Sequence, residues 1–272
     1  MAASNLATRL LTAAIGGPII LALLYFGPAW GWMAFVACAA VIGAYELFGM
    51  THPQDGVSRV VATAMSVGIL VALWFFTSDA RVLLTIMMVC PLVAMALTLW
   101  RLGDMKTAAL RVMAATFGPI YLGGGLGAIA MLRRDAGSDG PGYVVLALML
   151  SWLSDTGGYF AGRFLGKHKL YPAVSPKKTV EGSLGGLVGG VVGALLGHFF
   201  YLRSMPLVDA LLLGLVGSGL GQVGDLGESL LKRSSGVKDS GGIVPGHGGI
   251  LDRVDALLVT GVVSYLYVIW VR

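Results

Sequence analysis

The chain has 272 residues, 56% of them hydrophobic and only 12% charged, with a net charge of +5. Soluble domains carry about 25% charged residues, so this composition excludes an ordinary water-soluble fold. It also excludes a nucleic-acid binder, because no stretch interleaves basic and aromatic residues, and a disulfide framework or thiolate metal site, because Cys38 and Cys90 both lie in apolar runs.

In chain order, apolar runs near the roughly 20 residues that cross a bilayer predict nine spans, near 8–26, 30–50, 58–77, 82–100, 107–132, 143–162, 182–202, 206–224 and 254–271. The fold class expected is an all-α polytopic membrane protein with no separate soluble domain. Arg9 precedes an apolar stretch to Phe26 that is long for a signal-peptide core and is read as an uncleaved first helix. The second span is the least regular, because Glu46 lies within it. Trp30, Trp32, Trp74, Trp100, Trp152 and Trp270 fall mostly near span ends, as an aromatic belt does. With the N-terminus in the cytoplasm, fourteen Lys/Arg lie on the inner side and five on the outer. That orientation turns two polar loops, 163–181 and 225–253, toward cytoplasmic nucleotides. Residues 1–140 then read as a scaffold and 141–272 as the catalytic region. Gly185, Gly189, Gly193 and Gly197 recur every fourth residue and form one flat face for close helix packing. The same stripe is a candidate dimer face.

Polar residues concentrate in the second half. Asp155 lies inside the sixth span between Ser154 and Thr156, and an intramembrane carboxylate is a functional candidate. A hydrogen bond to Ser151, Thr156 or another helix's backbone is its structural alternative. The following loop supplies Lys167, Lys169, Lys177 and Lys178, with Ser175, Thr179 and Glu181. Clustered lysines bind phosphates as point charges, and they also serve as topology signals beside anionic lipid. Thr179 can alternatively cap the seventh helix.

Asp225 and Glu228 share a helix face at the end of the eighth span, and Glu228 can pair with Lys232 four residues on. Asp252 and Asp255 share a face at the start of the ninth span, where helix capping explains one of them. Between these ends runs K-R-S-S-G-V-K-D-S-G-G-I-V-P-G-H-G-G-I-L-D-R, Lys232 to Arg253. Glycine-freed amides with cations make a phosphate cradle. Carboxylates beside phosphate-binding cations make a hard-cation site and favour Mg²⁺. No P-loop or zinc spacing is present.

The stretch from Ser229 to Asp255, with S-D-T-G-G-Y-F-A-G-R and S-P-K-K-T-V-E-G upstream, closely resembles the signature of the phosphatidate cytidylyltransferase (CDP-diacylglycerol synthase) family. The likeness covers about 100 residues of the C-terminal half. Gly227, Gly242 and Ser234 depart from the usual pattern, Ser234 where an acidic residue is frequent, and they leave the reaction implied by the motif unchanged. The resemblance implies transfer of CMP from CTP to phosphatidic acid, a Mg²⁺ requirement with K⁺ as a candidate second ion, and a homodimer in a bacterial inner (plasma) membrane. On that basis Asp225 and Asp252 are expected to hold metal, with Asp255 or Glu228 in support. Lys232, Arg233, Lys238 and Arg253 are expected to neutralise phosphates, and Asp239 to orient a cation. Ser154, Asp155, Lys167, Ser175, Lys178, Thr179, Glu181, His247, Gly248 and Gly249 are expected to line the substrate pocket. Two other readings compete: a related CTP-dependent enzyme acting on another membrane lipid, and a cation-coupled transporter.

Overall fold

A computed structural model describes residues 2–242 and 248–272, with side chains from residue 14 onward. Among the described residues, nine long helices follow in order: α1 (Ala2–Phe26), α2 (Ala29–Thr51), α3 (Gly56–Phe76), α4 (Ala80–Trp100), α5 (Met105–Asp135), α6 (Gly140–Phe164), α7 (Val180–Leu196), α8 (Leu207–Ser234) and α9 (Leu251–Trp270). Eight are long and apolar enough to cross a membrane, and the described apolar part of α1 is Ala14–Phe26. The protein is thus a polytopic all-α membrane protein.

Two expectations need correction. The helix expected to end near residue 224 continues to Ser234, because the segment keeps helical spacing and Glu228 pairs with Lys232 across one turn. Asp225, Glu228, Lys232 and Arg233 are therefore helical rather than part of a loop. The loop expected over 163–181 contains an antiparallel hairpin, β1 (Lys169–Tyr171) with β2 (Ser175–Thr179), in the register Lys169↔Thr179 and Tyr171↔Ser175.

The chain forms two compact units. The first comprises Met1–Ala130 and Asp239–Asp252. Its core is built from large side chains, among them Trp32, Phe48 and Leu70. The Phe48 ring fills the space over Gly118 of α5, where a Cβ would lie 2.7 Å from its Cε1. Trp32 donates its indole N–H to the Ile129 carbonyl at 3.3 Å. Asp55 caps α3 by accepting from the Ser58 amide at 3.2 Å and the Ser58 hydroxyl at 2.6 Å. Arg111 donates to the carbonyls of Arg101 at 2.8 Å and Asp104 at 3.2 Å, stapling the α4–α5 turn.

The second unit comprises Met131–Lys238 and Arg253–Arg272. Here helices meet backbone to backbone. A Cβ on Gly158 would lie 3.3 Å from the Gly182 carbonyl, and one on Gly182 would lie 3.0 Å from the Gly158 carbonyl. Gly189 faces Leu153 and Gly193 faces Met149, so the regular glycine stripe of α7 rests on α6 of the same chain. That occupies the face considered above for a dimer. A second glycine face on α7 meets α8, where a Cβ on Gly190 would lie 2.9 Å from the Gly214 carbonyl. Away from the hairpin, Asp139 accepts from Ser204 at 2.7 Å and Arg272 at 2.6 Å, and Tyr267 donates to Asp209 at 2.6 Å. These bonds tie the ends of α6, α8 and α9.

Candidate active site

The close approach of α6, α7 and α8 leaves a cavity of about 390 Å³ in the second unit, with several polar side chains on its wall. Ser154 and Asp155 enter it from α6, Ser183 from the first turn of α7, and Gln222 and Asp225 from one face of α8. The hairpin adds Lys178. Its position is set locally: the Thr179 hydroxyl accepts from the Gly182 amide at 3.1 Å, starting α7 directly after the strand. Lys178 Nζ bonds Asp225 Oδ2. Both partners are about a quarter exposed, 29% and 25%, so the pair borders the cavity and remains accessible to a ligand.

A hydrogen-bonded network lines the same cavity. Ser183 donates its hydroxyl to Gln222 Oε1 at 2.5 Å, and Gln222 Nε2 returns a bond to the Ser183 carbonyl at 3.1 Å. The same Nε2 reaches Ser154 Oγ at 3.5 Å. Gln222 and Ser183 were absent from the residues expected from sequence. A signal existed: Gln222 lies one turn before Asp225, and Ser183 one turn after Thr179, so each shares a face with an expected residue.

The charges form one interacting group. Asp155 feels Asp225, Lys178 and Arg253, and Asp255 feels Asp225, Asp155 and Lys232. Three carboxylates and three cations of this unit thus act on one another. For a divalent ion, the donor chemistry of Asp225 and Asp255 fits: hard oxygens beside cations that attract phosphate. Among the described residues no three His, Cys, Asp or Glu side chains converge as a metal-binding cluster.

Other expected residues take structural partners. Glu228 is buried and pairs with Lys232. Glu181 accepts from the amides of Lys167 at 3.0 Å and His168 at 3.2 Å, and its other oxygen lies 2.6 Å from His168 Nδ1. It thereby holds the turn into the hairpin. Ser175 pairs opposite Tyr171 on β2, outside the cavity wall. Arg233 donates to the Val237 carbonyl at 3.2 Å, while Lys238 and Asp239 are exposed.

Asp252 belongs to the first unit, where its Oδ2 accepts from the amides of Ser240 at 3.2 Å and Gly249 at 3.0 Å. Gly248 beside it has φ +81°, a left-handed conformation that favours glycine. His247 lies outside the described residues.

The sequence profile described as the cytidylyltransferase family matches residues 7–271. A phosphatidate cytidylyltransferase of Staphylococcus haemolyticus is 47% identical over 121 residues, 44% of this chain and 46% of that protein. One from Staphylococcus epidermidis is 45% identical over 128 residues, 47% of this chain and 49% of that protein. One from Staphylococcus aureus strain COL is 44% identical over 128 residues, with the same shares of 47% and 49%. In these matches the chain spans about half the length of its relatives.

Proposed function

Because the chain belongs to the cytidylyltransferase family, we propose that it transfers the CMP unit of CTP to phosphatidic acid, releasing CDP-diacylglycerol and diphosphate. The observation that carries this reading is the Lys178–Asp225 pair on the wall of a cavity that the Ser154–Ser183–Gln222 network also lines. A cation from the hairpin, an accessible carboxylate and hydrogen-bonding groups of α6, α7 and α8 meet there. Polar side chains on membrane-spanning helices are tolerated where they line a cavity.

The phosphatidate phosphomonoester, with a second pKa of about 6, is largely ionised at neutral pH and needs no strong general base. One of its oxygens bonds to the α-phosphorus of CTP in line. The bond from that phosphorus to the α–β bridging oxygen breaks, and its electron pair leaves with diphosphate. The protein's work is then orientation and neutralisation of charge. Lys178 and Arg253 bind the phosphates, Lys177 of the cavity wall adds to their field, and Asp225 holds Lys178 in place. Gln222, its amide fixed by Ser183, offers directional hydrogen bonds. Asp225 and Asp252, with Asp255 or Glu228 in support, would hold Mg²⁺, which when bound supplies further neutralisation of the diphosphate. The positive-inside pattern supports a cytoplasmic position for the hairpin and its cavity, the side where CTP is found.

Purified protein in detergent, given labelled CTP, Mg²⁺ and phosphatidic acid, is expected to form CDP-diacylglycerol and equimolar diphosphate. A folded protein that forms neither sinks the reading. Turnover with an isoprenoid alcohol in place of phosphatidic acid redirects it to another acceptor. Light scattering of the same sample tests the homodimer, which belongs to this proposal.

A further inference from the structure

In the first unit, the connection between α8 and α9 meets a carboxylate that the reaction scheme above leaves unused. Glu46 of α2 is only 6% exposed. Its Oε2 accepts from the Leu251 amide at 2.9 Å and the Ser240 hydroxyl at 3.4 Å, residues 205 and 194 positions away. Ser240 lies within the connection and Leu251 opens α9, and both lead to Asp252. Ser240 donates its amide to Asp252 Oδ2 at 3.2 Å, and Leu251 is its chain neighbour. The Gly249 amide completes the arrangement at 3.0 Å from the same Oδ2.

Two glycines of the connection pack against Glu46. A Cβ on Gly249 would lie 2.5 Å from Glu46 Oε2 and 2.8 Å from Cδ, and one on Gly241 would lie 2.7 Å from Cδ. Such distances are overlaps, so the backbone closes around the carboxylate only where side chains are missing. Glu46 Oε1 has no hydrogen-bond partner among the described residues. Burying a carboxylate in a membrane-spanning helix is costly, and packing of α2 alone would be served by an apolar residue. The hydrogen bonds that offset this cost go to Ser240 and Leu251.

We propose that Glu46 is a positioning residue for cytidylyl transfer: it clamps Ser240 of the α8–α9 connection and Leu251 at the start of α9, and thereby fixes the Asp252 carboxylate. The proposal rests on the function given above. It assigns work to a residue outside the signature that carries the family likeness.

The test compares wild type with Glu46→Ala, Glu46→Gln and Ser240→Ala in detergent. It uses steady-state kinetics with CTP and phosphatidic acid, and amide hydrogen exchange of peptides covering 239–253 in the absence of substrate and metal. Glu46→Ala is expected to lower kcat about 100-fold, the scale of a misplaced catalytic constellation, with both KM values near wild type. Exchange should accelerate in 239–253 and stay unchanged in α6 and α7. Glu46→Gln retains an oxygen acceptor for both bonds and is expected to restore most of kcat and of the protection. Ser240→Ala, which loses one bond, should fall between and carries the test if Glu46→Ala does not fold. Wild-type turnover in Glu46→Ala, exchange raised equally along the whole chain, or a Glu46→Gln variant as impaired as Glu46→Ala would each overturn the positioning role. A wild-type protein that forms no CDP-lipid, yet shows Glu46-dependent exchange in 239–253, breaks the functional reading and leaves the clamp standing.

Discussion

The two units pack their helices with different emphasis. In the first, bulky side chains fill the space between helices, as where Phe48 covers Gly118. In the second, Gly158 and Gly162 of α6 oppose Gly182 of α7, and Gly190 of α7 opposes Gly214 of α8. Lipid tails are as apolar as leucine, so side-chain burial gives little drive for association within a bilayer, and close backbone contact replaces it. Tight glycine seams also let short polar side chains such as Ser154, Ser183 and Gln222 reach one another across helices. The glycine-rich unit therefore holds the cavity. Glycine in the first unit makes room for the Phe48 ring at Gly118 and the Glu46 carboxylate at Gly241 and Gly249, and brings Gly123 of α5 against the Ser66 carbonyl of α3.

The largest effect expected from breaking this contrast is chemical. Asp225→Asn keeps the size of the side chain but removes the charge that holds Lys178. Activity should fall about 10²–10³-fold, the scale of losing one preorganised electrostatic group. Circular dichroism and size exclusion should be unchanged. Wild-type rates in that variant would remove Asp225 from the site.

Next in size are the two kinds of packing. Phe48→Ala should cost about 3–5 kcal/mol, as emptied aromatic positions do, read as a fall in Tm in detergent. Gly189→Leu should force α7 away from Leu153 of α6 and cost about 1–3 kcal/mol or more by overpacking. Its control is Gly227→Ala on α8, where a Cβ meets nothing within 4 Å. That change should leave Tm level or raise it, since alanine favours helix over glycine by about 0.5–1 kcal/mol. Equal losses in both glycine variants would mean that the seam does not depend on close contact.

The smallest effect belongs to the cap of α3. Burial raises the Asp55 carboxyl pKa, but the Ser58 hydrogen bonds and the Arg101 charge outweigh it and hold the group below its usual range. A lowered folded pKa means that the stabilisation is present above the unfolded value of about 3.9. It is lost as pH falls through the folded value. Asp55→Ala should therefore cost about 1 kcal/mol at neutral pH, and the Tm difference from wild type should shrink as the sample is acidified. A constant difference down to strong acid would rule out the carboxylate as its source.

Much of this molecule was legible as a sequence. Nine apolar runs became nine helices among the described residues, because span length follows from bilayer thickness and helical rise, both independent of fold. The α7 glycine repeat announced close packing for a similar reason: spacing of four defines a face whatever lies opposite. Asp155 stands out because charge is rare inside an apolar run, Lys178 because it belongs to a lysine cluster, and Asp225 because it shares a helix face with Glu228 at a span end; all three border the cavity.

Other features were decided only when distant segments met. Sequence spacing allowed the α7 stripe a dimer partner as readily as a neighbouring helix, and the fold gave it α6. Glu46 read as an irregularity in a span, yet its hydrogen bonds reach residues 194 and 205 positions away. Gly249 read as an amide freed for phosphate, whereas its missing side chain admits that carboxylate. Periodicity and composition report what a segment does with its own neighbours and with lipid. Which carboxylate is balanced by which lysine or amide depends on contacts made across the chain, and those exist only once the helices have packed.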